Sequence, residues 1–185
     1  YGIKNAIDSL GSEHGTTAAK AIMTTDTVPK NTFVEAKGFS VGGISKGAAM
    51  LQPNMATMLS VLTTDAVVHP KEATRLLQQA VSVSFNCLTV DGAESTNDTV
   101  ILLANGKSGV EDSTLLGESL IEACKDLAVQ MADDAEGSTK TVFLCVTGAK
   151  NDTEAELAAR STANSQLIKC SWYGEDPYWG RIAAQ

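Results

Sequence analysis

Histidine is nearly missing from the 185 residues: only His14 and His69 are present. Two imidazoles exclude a multi-histidine metal centre. The four cysteines, Cys87, Cys124, Cys145 and Cys170, stand 37, 21 and 25 residues apart. No C-x-x-C pair exists, so a paired-cysteine zinc site is excluded as well. Each cysteine has apolar neighbours, as in Phe143-Leu144-Cys145-Val146, and reads as a reduced core residue. Apolar runs stop well short of the ~20 residues that a membrane helix needs. Basic residues are in deficit, with 14 Lys+Arg against 22 Asp+Glu and a formal net charge of −8. Such a chain, without a basic stripe, repels nucleic acid and anionic lipid alike. There is no repeat, no low-complexity stretch and no linker, and no signal peptide is expected. The length fits one domain. What is left is a globular domain whose partner is a small molecule. Tyr1 in place of a start methionine, and the open end at Gln185, lead us to expect a chain cut at both ends.

Periodicity supplies the elements. Glu13 to Met23 reads as a short alanine-rich helix after the Gly11-Ser12 break. Thr32–Ala36 and Phe39–Ile44 read as a hairpin around Lys37-Gly38. Gly42-Gly43, Gly47 and Pro53 loosen the chain that follows, and Thr57–Thr64 reads as a buried strand. Pro70 opens a helix carrying Ala73, Leu76, Leu77, Ala80 and Val81 at helical spacing. Thr99–Ala104 reads as a buried strand ended by Asn105-Gly106. Leu116, Leu120, Cys124, Leu127 and Met131 form the stripe of a long helix. Thr141–Val146 reads as another strand, and Asn151 with Glu154 as a variant capping box opening a helix to about Thr162. Ile168, Cys170 and Trp172 alternate like one face of a last strand. Strands and helices are mixed, and the fold class is α/β, an α+β layered sandwich.

Several short motifs have bland readings. Gly43-Ile44-Ser45-Lys46-Gly47 matches the G-x-S-x-G nucleophile elbow. A serine hydrolase also needs an acid and a downstream histidine, and His69 alone follows Ser45; a glycine-rich turn is the better account. Gly106-Lys107-Ser108 has the end of a phosphate loop, but Ile101 stands where its first glycine belongs. Asn97-Asp98-Thr99 and Asn151-Asp152-Thr153 fit the glycosylation pattern without other signs of secretion. By composition alone, Thr57 is a structural strand residue, Lys46 a solvated loop lysine and Glu136 part of an acidic turn.

The order of six runs changes that reading. Ala21-Ile22-Met23-Thr24-Thr25-Asp26-Thr27 comes first. Lys46-Gly47 follows, with Pro53-Asn54-Met55-Ala56-Thr57-Met58-Leu59 behind it. Then come Val90-Asp91-Gly92, Ser95-Thr96-Asn97-Asp98-Thr99, Glu136-Gly137-Ser138-Thr139-Lys140 and Asp176-Pro177-Tyr178-Trp179-Gly180-Arg181. In this register, over about 160 residues, the chain resembles the ornithine acetyltransferase (glutamate N-acetyltransferase) family of arginine biosynthesis. Tyr178 stands where that family usually has asparagine, and Ala48 or Ala49 where it commonly has glycine. The resemblance implies the self-processing fold of that family, related in shape to N-terminal-nucleophile enzymes. It implies cleavage between Ala56 and Thr57. Residues 1–56 are then the end of an alpha-chain part and 57–185 the start of a beta-chain part, together one incomplete catalytic domain. Family members are about twice as long. The upstream part carries a Thr-Gly pair that forms the oxyanion hole, and the downstream part carries further pocket residues.

The resemblance also assigns roles. Thr57 is the nucleophile that takes acetyl from N-acetylornithine and passes it to glutamate, and Ala56–Thr57 is the scissile bond. Lys46 supports charge on the acyl oxygen or holds a substrate carboxylate. Glu136 binds the ammonium of ornithine, and Thr25 (or its neighbour Thr24) makes another substrate contact. No metal and no bound cofactor are implied, with acetyl-CoA the co-substrate of bifunctional members. The implied assembly is an α/β heterodimer after cleavage, oligomeric in the complete protein. The implied compartment is cytoplasmic in bacteria and mitochondrial or plastidic in eukaryotes. The rival reading is a folded or ligand-binding piece without catalysis, because half its pocket is absent.

Overall fold

The computed structural model describes residues 2–52, 58–93 and 97–185. Its centre is a four-stranded sheet in the order β1-β2-β3-β4, formed by β1 (Lys30–Ala36), β2 (Phe39–Lys46), β3 (Leu59–Thr64) and β4 (Thr99–Ala104). The expected hairpin is there: β1 and β2 are antiparallel, with Ala36 opposite Phe39 across the Lys37-Gly38 turn. Gly38 takes φ +91, and a Cβ there would stand 3.0 Å from Val110 Cγ2, so both backbone and space call for glycine. Strand β3 pairs antiparallel with β2, and β4 pairs parallel with β3. A parallel partner needs a crossover. Helix α3 (Pro70–Ser82) lies on that connection, with Pro70 at its first turn.

Helix α4 (Ser113–Asp133) lies across β1 and β2 and alongside α3. Asp112 caps it by accepting from Leu115 N at 2.9 Å. All five stripe residues, Leu116, Leu120, Cys124, Leu127 and Met131, are buried, against Val41 and Leu62 of the sheet and Leu76 and Ala80 of α3. Each such side chain is worth about 1.5–3 kcal/mol in area removed from water, so α4 holds the layer on the sheet. Gly43, beneath α4, marks a close approach. A Cβ there would meet Leu62 Cδ2 at 2.7 Å, with Leu127 Cδ1 and Thr32 Cγ2 both at 3.2 Å.

Several expectations change, among them the glycine-rich turn at Gly43–Gly47 and the solvated Lys46: Gly43–Lys46 fall in β2, with Ser45 and Lys46 buried. Strand β4 is an edge strand rather than a buried one, with Ile101 43 % and Leu103 55 % exposed. An apolar run of six cannot by itself show that only one face will be covered. The register sets Phe33, Gly42, Thr63 and Leu103 in one row on the face away from α4. Phe33 is 70 % exposed there. Residues 141–146 form no strand: no neighbour offers them a ladder, and strand propensity depends on that context. Ile168, Cys170 and Trp172 lie on helix α6 (Gln166–Tyr173), which buries Ile168 and Ser171 three apart instead of alternate residues. Of the cysteines only Cys124 is in the core; Cys87, Cys145 and Cys170 are exposed, and all four are free thiols.

The remaining helices lie outside this core. Helix α1 (Gly2–Asp8), which the periodicity did not mark, buries nothing. The expected 13–23 helix is a 3-10 turn, Ser12–His14, followed by α2 (Gly15–Ala21). Helix α5 (Asp152–Asn164) starts as expected, with Asn151 Oδ1 accepting from Glu154 N at 2.9 Å. Helix α7 is Trp179–Ala183. Among the described residues no helix is long and apolar enough to cross a membrane.

Candidate functional site

Three distant parts of the chain meet at one buried charge node. Lys30, the first residue of β1, has its ammonium 2.6 Å from Asp26 Oδ1 and 2.5 Å from Asp134 Oδ2, with Lys30 and Asp26 side chains fully enclosed. Asp26 also accepts from Gly47 N at 2.7 Å and from Thr24 N at 3.2 Å. Asp134, just past α4, accepts from Thr27 N at 2.9 Å and from the Thr27 hydroxyl. Burial works to raise the Asp26 and Asp134 carboxyls. The Lys30 ammonium and the converging N–H groups outweigh it, so both sit below the ordinary aspartate value. Two carboxylates around one ammonium, each held by further donors, is the satisfied arrangement that a buried ion cluster requires.

The sequence-derived site residues flank this node. Thr25 is exposed, between Thr24, whose N–H binds the node, and Asp26 itself. Lys46 ends β2 opposite Leu59, is 8 % exposed, and immediately precedes Gly47, which donates to Asp26. Glu136 is exposed two residues past Asp134, and its N–H donates to Ala48 O at 2.8 Å. The segments bearing Thr25, Lys46 and Glu136 are therefore pinned together, although 111 positions separate the first from the last. Ala56 and Thr57 lie outside the described residues.

The chain on both sides of residues 53–57 is anchored. Asp91 accepts from Met50 N at 2.5 Å and Leu51 N at 3.2 Å, and Val90 N donates to Leu51 O at 2.7 Å. Asp98 Oδ1 accepts from Met58 N at 2.8 Å, and Thr99 N donates to Met58 O at 3.1 Å. Glu136 also lines an open cleft of about 750 Å³ that reaches Arg160, Lys169 and Trp172. Lys169 donates its ammonium to Val90 O, and burial pushes that amine below its usual value against the pull of Asp91.

Ser45 is no nucleophile. It is fully buried inside β2, with its hydroxyl 3.3 Å from both Leu59 O and Met131 Sδ. An elbow serine stands exposed at a strand-to-helix turn, and among the described residues no helix stands between β2 and β3. Sequence reading passed over Asp26, Asp91 and Asp98 as individuals, although each stands in one of the six runs. Lys30 and Asp134 gave no signal, being 104 positions apart.

The fold and the node define a mixed α/β protein in which a buried ion cluster ties together a threonine loop, the end of a lysine-terminated strand and a glutamate turn. A family model described as the ArgJ family matches residues 1–185. The chain belongs to that family. It is 47 % identical over 184 residues to the arginine biosynthesis bifunctional protein ArgJ of Thermobifida fusca, covering 99 % of this chain and 48 % of that protein. It is 48 % identical over 171 residues to the glutamate N-acetyltransferase of Methanopyrus kandleri, covering 90 % of this chain and 44 % of that one. The crystal structure of the Bacillus halodurans ArgJ protein superposes with a TM-score of 0.63 at 40 % identity, over 66 % of this chain and 60 % of that chain. This chain spans about half the length of the curated relatives it matches.

Proposed function

We propose that this chain supplies the central part of an acetyltransferase that moves acetyl from N-acetylornithine to glutamate through an acetyl ester on Thr57. The enzyme prepares itself first. The Thr57 hydroxyl attacks the Ala56 carbonyl, the C–N bond breaks as the proton passes to nitrogen, and water splits the resulting ester. Residues 1–56 then end in a carboxylate, and Thr57 gains a free α-amine. With an ordinary pKa near ~8, that amine is a base beside its own hydroxyl, which a chain with two histidines otherwise lacks. The hydroxyl then attacks the acetyl carbonyl, ornithine leaves with the proton, and the glutamate amine takes the acetyl in a second displacement.

The observation that carries this reading is the node of Asp26, Lys30 and Asp134, because it holds the segments of Thr25, Lys46 and Glu136 together. Lys46 is suited to oppose charge on the acyl oxygen or to hold a substrate carboxylate. Glu136 takes the ornithine ammonium, and Thr25 or Thr24 a further contact. Acetyl-CoA serves as an alternative donor where the complete protein is bifunctional, and the cleaved halves remain paired as a heterodimer.

The test is acetyl transfer from N-acetylornithine to glutamate by the full-length protein carrying this chain, with Thr57→Ala. Loss of turnover together with an uncut Ala56–Thr57 bond in the intact mass supports the assignment; turnover retained in Thr57→Ala ends it. The 185 residues alone are expected to transfer little. Loss of one oxyanion donor typically costs about 10²–10³ in rate, and those donors are carried by the family's upstream part. A folded but idle piece is the second reading, favoured by the uncovered apolar row at Phe33 and Leu103. Turnover by these residues alone, at the rate of the full-length protein, would refute it.

A further inference from the structure

We propose that Asp98, assisted by Asp91, is a positioning residue for the self-cleavage, gripping the backbone on either side of residues 53–57. This rests on the reading of Ala56–Thr57 as the scissile bond. The N–H that Asp98 Oδ1 accepts at 2.8 Å belongs to the peptide that Thr57 shares with Met58. The carboxylate therefore holds the N–H of the residue that directly follows Thr57.

The placement extends the sheet. Leu59 is opposite Thr99 where β3 and β4 begin, so Met58 and Asp98 each stand one residue before the parallel ladder. Thr99 N already binds Met58 O at 3.1 Å, and the Asp98 side chain supplies the acceptor for Met58 N. Met58 itself is 3 % exposed.

The other anchor is tighter still. Asp91 takes the N–H groups of Met50, Leu51 and Ala93, at 2.5, 3.2 and 3.1 Å. Met50 has φ 53, a left-handed backbone that a non-glycine residue keeps only when its surroundings over-determine it. Leu51 is 1 % exposed and bonded through its carbonyl to Val90. Hydrogen bonds to an ionised acceptor are roughly twice as strong as neutral ones. Two carboxylates thus hold Leu51 and Met58, the described residues that bound positions 52–57 of the chain. An intramolecular acyl shift depends on such placement, since a misplacement of about 1 Å can cost on the order of 10²-fold.

The experiment is a pulse-chase of freshly synthesised full-length protein, with cleavage followed by intact mass and folding by Tm. Asp98→Ala is expected to slow cleavage about 10²-fold, and Asp98→Asn, which keeps an acceptor oxygen, to restore it to within about tenfold of wild type. A merely structural staple would move Tm without this ordering. Equal cleavage rates in wild type, Asp98→Ala and Asp98→Asn overturn the proposal while leaving the cleavage reading intact. Asp98→Asn as slow as Asp98→Ala at unchanged Tm also overturns it. A wild type that never cuts between Ala56 and Thr57 refutes the cleavage reading itself. Where Asp98→Ala does not fold, Asp98→Glu decides, because it keeps the charge and moves the acceptor by one methylene. Slowing of about tenfold or more at an unchanged Tm supports positioning, and the wild-type rate overturns it.

Discussion

Replacing Lys30 by methionine probes the node directly. The ammonium is fully buried and is bonded to both Asp26 and Asp134. Methionine fills similar volume, so the change removes charge more than packing. It leaves two carboxylates facing each other, one fully enclosed and one 6 % exposed. Removing one partner of a buried ion pair typically costs about 3–5 kcal/mol, chiefly the cost of the stranded charge. At about 2–4 °C per kcal/mol for a chain of this size, Tm should fall by about 6–20 °C. The pH dependence makes the reasoning sharper. In the wild-type fold both carboxyls sit below their ordinary value. Their stabilisation is therefore present above the unfolded value near ~4 and is lost as pH falls through the lower folded values. Without Lys30, burial raises the carboxyls instead, and protonation relieves the repulsion. The stability gap between wild type and Lys30→Met should thus be largest near pH 7 and shrink toward pH 4. Urea unfolding at both pH values reads it. A gap under about 1 kcal/mol at pH 7, or one that widens in acid, would refute the account of the node as a desolvated ion cluster.

Four further outcomes are expected. Gly43→Ala should cost about 1–3 kcal/mol in urea melts by overpacking, because Leu62 and Leu127 are both fully buried and cannot swing clear. Gly180→Ala, which meets nothing within 4 Å, should be neutral or mildly stabilising. In thiol titration of the folded chain at pH 8, Cys145 and Cys170 should react promptly and Cys87 more slowly, since burial and then Glu156 push its thiol up. Cys124, pushed up to about 12 by burial, should appear only on unfolding. In the full-length protein, Glu136→Gln should raise KM for N-acetylornithine about tenfold and leave cleavage at Ala56–Thr57 unchanged; equal damage to both steps would contradict a role confined to substrate.

What could be read from the sequence was whatever depends on short range. The α4 stripe declares itself because five apolar residues at helical spacing have one solution, a helix with one buried face. The β1–β2 hairpin does so through alternation and a glycine that can take φ +91. Residues 141–146 and 168–172 failed for a different reason: short apolar runs become strand or helix according to their neighbours. The cysteines failed likewise, since apolar sequence neighbours do not guarantee apolar spatial ones; Cys145 is exposed although Leu144 and Val146 flank it. The site divides along the same line. Thr25, Lys46 and Glu136 are proposed from runs that resemble a family, whereas Lys30 and Asp134 belong to none of those runs and meet only across 104 positions.

That division also explains why the node and the site residues differ in kind. Thr25 and Glu136 are exposed and Lys46 is nearly buried at a strand end, so two of the three are free to meet a ligand. Asp26, Lys30 and Asp134 are spent on one another and on backbone N–H groups, and have no such freedom. A buried ion cluster is seldom a net gain in stability over apolar packing of the same volume. Its persistence here is intelligible as specificity: an apolar cluster would tolerate sliding, whereas an ammonium between two carboxylates fixes the Thr24–Val28 loop, Gly47 and the end of α4 to within hydrogen-bond tolerance. Replacing Asp26, Lys30 and Asp134 together by apolar residues separates the two roles. Stability should then return to within about 1–2 kcal/mol of wild type, or exceed it. Acetyl transfer by the full-length protein should fall by on the order of 10²-fold, because the residues proposed to meet substrate are no longer held in register. Stability and turnover recovering together would show that the node does nothing for the site beyond folding it.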